Sequence, residues 1–292
     1  MKKYITLLTI LFLLCSCDRQ EKLHQITGSG IGTYYNILYA GKENPDISQS
    51  VDSIIQHISS QFSIFDTNSL VAKLNRGENL PLTPDFITVF ETSQRISKIT
   101  DGAFDITVGP LVNLWGFGPD REKRASSELI DSLRKIVGYR NVKMEKGFLY
   151  KENNSISLNF NAVAKGFCVD KLAEMMKTKG YQHFIIDVGG EVRVSGNKNG
   201  IPWKIGIQVP TATADGDIET DYIFFADNKS IATSGNYRNY KEENGVKYAH
   251  TINPKTGYPA QSTLLSVSVL SDECMIADAF ATASWYWGLR NL

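Results

Sequence analysis

Apolar residues recur along this chain with two periods, near 3.6 and near 2, and the changes of period mark its elements. Val51, Ile54, Ile55, Ile58 and Phe62 follow helical spacing behind the capping candidates Ser48 and Ser50. A second helix opens at Thr83-Pro84, with Thr83 as N-cap and Pro84 as first helical residue. Its apolar face is Phe86, Val89, Phe90 and Ile96, and Asp101-Gly102 closes it, glycine accepting the left-handed backbone of a helix end. A polar loop, Pro119 to Ser127, precedes a helix containing Leu129, Leu133 and Ile136. Helical spacing returns from Ala162 to Lys179, with Phe167, Leu172 and Met176 inward and Gly180 as terminator. Ser271 caps a last helix that runs to Trp287. Between these lie segments of strand character: 33–39, 183–188, 191–195, 203–209, 222–226, 247–252 and 264–270. A hairpin over 149–158 is expected to turn at Asn153-Asn154. The later strands follow one another at hairpin spacing without crossover helices. This pattern predicts an α+β fold, mostly antiparallel sheet with packed helices. No proline- or glycine-rich linker divides the chain, so residues 28–292 read as one domain.

The N-terminus has a different character. Lys2 and Lys3 precede an apolar run from Tyr4 to Leu14, a signal-peptide pattern too short to span a bilayer comfortably. The run ends in Leu14-Cys-Ser-Cys17, which resembles a bacterial lipobox. Residues 1–17 are then a signal, Cys17 is the lipidated N-terminus, and residues 18–27 form a polar tether. The alternatives are a plain secretory signal or an uncleaved anchor. The lipoprotein reading implies attachment to a membrane on the periplasmic side. Two cysteines remain, Cys168 and Cys274, each in an apolar helical context that suits a buried thiol rather than a metal site. The 292 residues carry 31 basic and 31 acidic side chains, a balance that gives no reason to expect a nucleic-acid partner.

Four segments contain more polar residues and glycines than structure alone asks for. In Asp101-Gly-Ala-Phe-Asp-Ile-Thr-Val-Gly-Pro110, an aromatic beside a carboxylate suits a nucleotide, though an ordinary turn explains most of it. Lys165-Gly166 opens a helix, where free backbone N–H groups and the helix dipole favour an anion; a solvated lysine is the bland reading. His250-Thr-Ile-Asn-Pro-Lys-Thr-Gly-Tyr-Pro259 leads from a strand end into a rigid loop. In the closing helix, Asp278 and Thr282 stand four residues apart and share one face of an otherwise apolar helix. A buried carboxylate needs a partner or a cation, and a carboxylate with a hydroxyl offers the hard oxygens that Mg²⁺ prefers. The competing account has Asp278 paired with a basic side chain and Thr282 bonded back to the helix.

Together these segments resemble the ApbE family, the FAD:protein FMN transferases. The resemblance runs from about Ile31 to the C-terminus. It is carried by Gly102-Ala-Phe-Asp105, Ala162-Val-Ala-Lys-Gly166, Asp187-Val-Gly-Gly190, Thr233-Ser-Gly-Asn-Tyr237, His250 to Gly257 and Ala277-Asp-Ala-Phe-Ala-Thr282, in the family's order. The resemblance implies that Ile31, Phe65, Ala103, Phe104, Asp105, Lys165 and Ile252 contact FAD. It implies Mg²⁺ at Asp278, Thr282 and the Ala162 carbonyl, and a base or phosphate-side catalyst at His250. The implied reaction attaches FMN to a Thr or Ser hydroxyl of an acceptor flavoprotein, a membrane redox subunit or a secreted protein, and releases AMP. Three departures stand out. Ile31 occupies a position where the family usually has methionine, Asn159 one where aspartate is common, and the chain stops at Leu292 where the family continues with another helix and strand. A fragment lacking that strand is expected to leave a sheet edge unpaired. The rival functions are an FAD pyrophosphatase yielding FMN and AMP, and a non-catalytic FAD-binding lipoprotein.

The lipobox generates a direct test. Cys17→Ala is expected to move the protein from the membrane fraction to the soluble fraction on cell fractionation. Wild-type protein found wholly in the soluble fraction overturns the lipoprotein reading.

Overall fold

A hairpin opens the fold. Strands β1 (Leu23–Gly30) and β2 (Thr33–Ala40) pair antiparallel, from Leu23 opposite Ala40 to Gly30 opposite Thr33. The turn between them is two residues, Ile31 and Gly32, both at positive φ, 45° and 78°. Such a turn matches the twist of the strands it joins; glycine adopts it freely, whereas β-branched Ile31 is strained there. The tether expected over 18–27 is corrected from Leu23 onward: those residues are strand, and His24 stacks on Tyr39 across the hairpin. The computed structural model describes residues 21–119, 125–208, 220–235, 240–243, 246–260 and 264–287. The signal segment, Cys17, and residues Asn236 and Tyr237 of the fourth family segment lie outside these. No helix among the described residues is long and apolar enough to cross a membrane.

The helices are α1 (Asp46–Phe62), α2 (Leu70–Asn75), α3 (Pro84–Ile99), α4 (Gly109–Leu114), α5 (Ser127–Arg134), α6 (Ala164–Thr178) and α7 (Cys274–Trp287). Thr83 caps α3 as expected, accepting from the Phe86 N–H, and Gly102 has φ 77° just beyond its end. Helix α1 begins earlier than expected, at Asp46 behind Pro45, so Ser48 and Ser50 lie inside it. In α5 the inward residue is Ile130, while Leu129 is exposed and Ile136 lies past the helix end. The short helices α2 and α4 have too few turns to show a period.

The remaining strands are β3 (Val142–Glu145), β4 (Phe148–Lys151), β5 (Phe184–Val188), β6 (Glu191–Ser195), β7 (Asn197–Lys198), β8 (Ile201–Gln208), β9 (Thr220–Ala226), β10 (Ser230–Gly235), β11 (Tyr240–Glu243), β12 (Val246–Ala249) and β13 (Ser266–Ser271). The hairpin expected to turn at Asn153-Asn154 instead pairs β3 with β4 and turns at Lys146-Gly147, both at positive φ. A six-stranded sheet runs β1-β2-β5-β6-β10-β13, with every neighbouring pair antiparallel. The α+β expectation holds. Strand β10, Ser-Ile-Ala-Thr-Ser-Gly, carries no run of large apolar residues and was not foreseen, yet it joins β6 to β13.

Both faces of this sheet are covered. On one face Tyr35, Ile37, Tyr39, Phe184, Ile186 and Val188 join the main core with residues of α1, α3, α6 and α7. On the other, Val194 and Ile231 pack with Trp203, Ile205 and Ala226 of the β8–β9 ribbon. Strand β6 therefore sends Val192 and Val194 to the ribbon and Glu191, Arg193 and Ser195 to the helices, the alternation a strand requires.

Helices α6 and α7 cross at Gly166. A Cβ there would stand 2.5 Å from the carbonyl oxygen and 2.7 Å from Cα of the next helix, at Cys274 and Met275. Asp170, one turn along α6, caps α7: its carboxylate accepts the Cys274 N–H at 3.0 Å and the Met275 N–H at 2.9 Å. That corrects the expected cap Ser271, which accepts only from Glu273 at 3.4 Å. The crossing predicts the sign of one substitution. Alanine normally stabilises a helix interior over glycine, but Gly166→Ala must push α7 aside and is expected to cost about 1–3 kcal/mol in urea unfolding. A stability gain overturns the steric account.

Candidate functional site

The α6–α7 crossing brings two of the sequence segments together. Asp278, on the second turn of α7, is buried, and its Oδ2 accepts the Gly166 N–H at 3.0 Å. The carboxylate thus faces the start of α6 and takes up the Gly166 N–H, while the Ala164 and Phe167 N–H groups go to the Phe160 and Val163 carbonyls. Lys165, the preceding residue, donates to Glu191 Oε1 at 2.5 Å. Glu191 is 2% exposed, and its Oε2 is buried with no hydrogen-bond partner among the described residues. A second ion pair, Arg193 with Asp170, runs alongside from β6 to α6. Neither Glu191 nor this second pair was singled out from sequence.

Burial dominates the electrostatics. It pushes the Glu191 carboxyl up to about 8, although the Lys165 ammonium pulls the other way and Asp278 adds to the rise. Asp278 is also raised, by burial first, with Lys165 and the Gly166 N–H opposing. Burial lowers Lys165, but the charges of Glu191 and Asp278 outweigh it and leave the ammonium held above its ordinary value. The lysine is therefore not a solvated helix-start cation. It is a half-buried cation paired with Glu191 and close enough to Asp278 to feel its charge.

Cation binding is compatible with the donors. Asp278 and Thr282 lie one turn apart on α7, and Ala162 sits in the turn leading into α6. Among the described residues no group of three or more His, Cys, Asp or Glu side chains is placed to hold a metal. A cation here must draw on one carboxylate and neutral oxygens, a set suited to Mg²⁺, which keeps several waters.

The loop after α3 plays a different part from the one expected. Asp105 is buried, and its Oδ1 accepts the Thr107 N–H at 2.8 Å and the Thr107 hydroxyl at 2.6 Å. Its Oδ2 accepts the Tyr139 N–H at 2.7 Å. Burial raises its pKa, and these three bonds oppose the rise. Phe104 is 3% exposed and belongs with Ala103 to the main core. Stacking by Phe104 and acceptance by Asp105 are the side-chain roles suggested by their types; here Phe104 packs in the core and Asp105 accepts bonds from Thr107 and Tyr139. The loop is fixed against the strand-like segment before α6, where the Asn159 N–H donates to the Ile106 carbonyl at 2.7 Å.

The same loop is tied to the histidine segment. Lys255 pairs with Asp101 at 2.7 Å, and Trp115 Nε1 donates to the Gly257 carbonyl at 2.8 Å. Asn253 Oδ1 accepts the Lys255 N–H at 2.9 Å, the turn that makes this loop rigid. Ile252 is buried in a small cluster with Leu111, Val112, Leu114 and Ile130. His250 is half-buried at the end of β12, edge-on to Phe117 at 6.4 Å between ring centres. Ile31 packs on the main core from its hairpin turn, while Phe65, between α1 and α2, is 57% exposed. The Asp101–Pro110 and His250–Pro259 segments are thus joined, while Ile31 and Phe65 belong to other parts of the chain.

Comparison with known proteins identifies the family and the fold. The profile of the ApbE family matches residues 31–291. An FAD:protein FMN transferase of Vibrio cholerae is 33% identical over 99% of the chain and 88% of its own length. One from Haemophilus influenzae is 34% identical over 94% of the chain and 84% of its own length. Among solved structures, the flavin transferase ApbE from Vibrio cholerae superposes with a TM-score of 0.83 at 31% identity, covering 93% of this chain and 89% of that one. The Pseudomonas stutzeri flavinyl transferase ApbE, in its apo form, gives 0.81 at 31% identity, covering 90% and 84%.

Glu191 yields a prediction in pH. Its folded pKa lies above the ordinary 4.5, so the native state holds a proton that the unfolded chain releases. The stability this contributes is present below about pH 4.5 and lost as pH rises through about 8. Glu191→Gln, which cannot ionise, is therefore expected to gain stability relative to wild type between pH 5 and pH 8. The gain has an upper limit of about 1.4 kcal/mol per pH unit. Urea unfolding at three pH values reads it, and a constant difference overturns the assignment.

Proposed function

The chain belongs to the ApbE family, and from that premise we propose that it transfers FMN from FAD to a hydroxyl of an acceptor flavoprotein, with Mg²⁺ bound, releasing AMP. The observation that carries this reading is the Asp278–Gly166 junction, a buried carboxylate against a helix start, flanked by the Lys165–Glu191 pair. A pyrophosphate with its cation needs a carboxylate for the metal and a cationic side chain for the phosphates, and Asp278 and Lys165 supply these at one place.

In the proposed reaction the acceptor hydroxyl oxygen attacks the phosphorus on the FMN side of the pyrophosphate. The new P–O bond forms as the bond to the AMP oxygen breaks. Asp278, Thr282 and the Ala162 carbonyl hold Mg²⁺. Bound there, Mg²⁺ neutralises pyrophosphate charge. Lys165, oriented by Glu191, faces the phosphates. His250 takes the acceptor proton, a role an imidazole nitrogen can fill. The loop around Ala103, Phe104 and Asp105 contacts FAD through its backbone, together with Ile31, Phe65 and Ile252. The acceptor is a membrane redox subunit or a secreted flavoprotein, carrying the hydroxyl on a Thr or Ser. Cys17 bears the lipid that holds the enzyme on a periplasm-facing membrane.

Incubation with FAD, Mg²⁺ and a candidate acceptor, followed by intact mass, tests the transfer: the acceptor gains one FMN for each AMP released. AMP released without acceptor modification identifies a pyrophosphatase instead. Asp278→Asn separates a metal role from a structural one, because the amide still offers Gly166 an acceptor but no charge. Turnover is expected to fall at least about 100-fold with the melting temperature nearly unchanged. A variant that unfolds early yet still releases AMP overturns the ligand assignment.

A further inference from the structure

The three-stranded sheet β7-β8-β9 covers the main sheet with one face and turns the other outward. Trp203, Ile205 and Ala226 point inward, and Trp203 Nε1 donates to the Ser195 carbonyl at 2.9 Å. With that face fixed, the alternate positions stay outward. There Phe225 is 64% exposed and Ile223 46%, with Lys204 opposite Phe225 in the pairing. Exposed aromatic and β-branched residues side by side on a fixed strand face suit contact with an apolar partner.

The course of the chain identifies that partner. The N–H of Glu21 donates to Asn199 Oδ1 at 2.9 Å, and Asn199 Nδ2 donates back to the Glu21 carbonyl at 3.3 Å. Asn199 and Gly200 form the β7–β8 turn, both at positive φ. This reciprocal pair pins the chain to the end of the ribbon at which Ile201 is 62% exposed; Phe225, opposite Lys204, is three strand positions further along. Cys17 precedes Glu21 by four residues, which reach at most about 14 Å when fully extended. A lipid on Cys17 therefore holds this end of the ribbon close to the bilayer. We propose that the outward face of β8–β9, led by Ile223 and Phe225, docks on the lipid surface that carries the anchor, an inference that rests on lipidation of Cys17. Lys22, Lys198 and Lys204 are exposed near this end, as are Glu21 and Asp227. The charges nearly balance, so the apolar pair rather than net charge drives the contact.

The test uses the full lipoprotein in phosphatidylcholine vesicles, with and without phosphatidylglycerol. Phe225→Cys carries an environment-sensitive fluorophore, and Tyr150→Cys on β4 serves as the aqueous control. Cys168 and Cys274 are buried and Cys17 is acylated, so each variant offers one reactive thiol. The label at 225 is expected to brighten severalfold in vesicles of either composition and to resist iodide quenching, while the label at 150 does neither. Protein that floats with the vesicles while 225 stays quenchable overturns the docking and leaves the anchor standing. Protein that does not float overturns the anchor and the docking with it. Protection at 225 that appears only on adding an acceptor flavoprotein assigns the face to a protein partner and overturns the lipid contact.

Discussion

The close approach of α6 to α7 at Gly166 is the constraint from which the site follows. Only a residue without a side chain lets the two backbones approach this closely, and the approach puts the Asp278 carboxylate on the Gly166 N–H. Asp170 holds the same junction from the other side by capping α7. A helix capped by a side chain of its neighbour cannot slide without losing the cap. Asp278 is therefore held in place along the chain of contacts from α6 rather than by its own helix alone.

Strand β6 adds the charge balance. Its period-2 alternation puts Glu191 and Arg193 on the helix side, where they meet Lys165 and Asp170 of α6. Buried ion pairs contribute little net stability, since the desolvation of both partners offsets their attraction, but they fix geometry. Here they hold a lysine at a helix start where an isolated cation would be disfavoured by the dipole. At this point the structure presents a preorganised cation, Lys165, beside the Asp278 carboxylate. Burial raises the Glu191 and Asp278 carboxyls, and Lys165 opposes the rise in each.

The second half of the site is assembled by loops. Asp105 spends its carboxylate on Thr107 and Tyr139, so the glycine-bounded loop after α3 keeps one shape. Lys255 and Trp115 fasten the histidine loop to it. Residue type alone suggested that Phe104 and Asp105 touch a ligand with their side chains. In the structure Phe104 is core and the Asp105 carboxylate ties its loop to itself through Thr107 and to the Tyr139 N–H across the fold.

The sequence by itself determined the α+β class, most helix positions, the Thr83 cap and the segments that carry the chemistry, because each is a local pattern of period, turn residue or motif. It pointed to Asp278 through a carboxylate on an otherwise apolar helix, a contradiction that is visible without coordinates. It missed β10, whose small residues carry no period of their own, and it misplaced the β3–β4 turn. Glu191 was not recognisable either. In Glu191-Val-Arg-Val-Ser195 the polar residues read as the solvent side of a strand, and only the covering of both sheet faces turns them inward. Which polar residue is buried depends on what packs over it, and that is settled by long-range contacts between α6, α7 and the sheet rather than by any run of neighbouring residues.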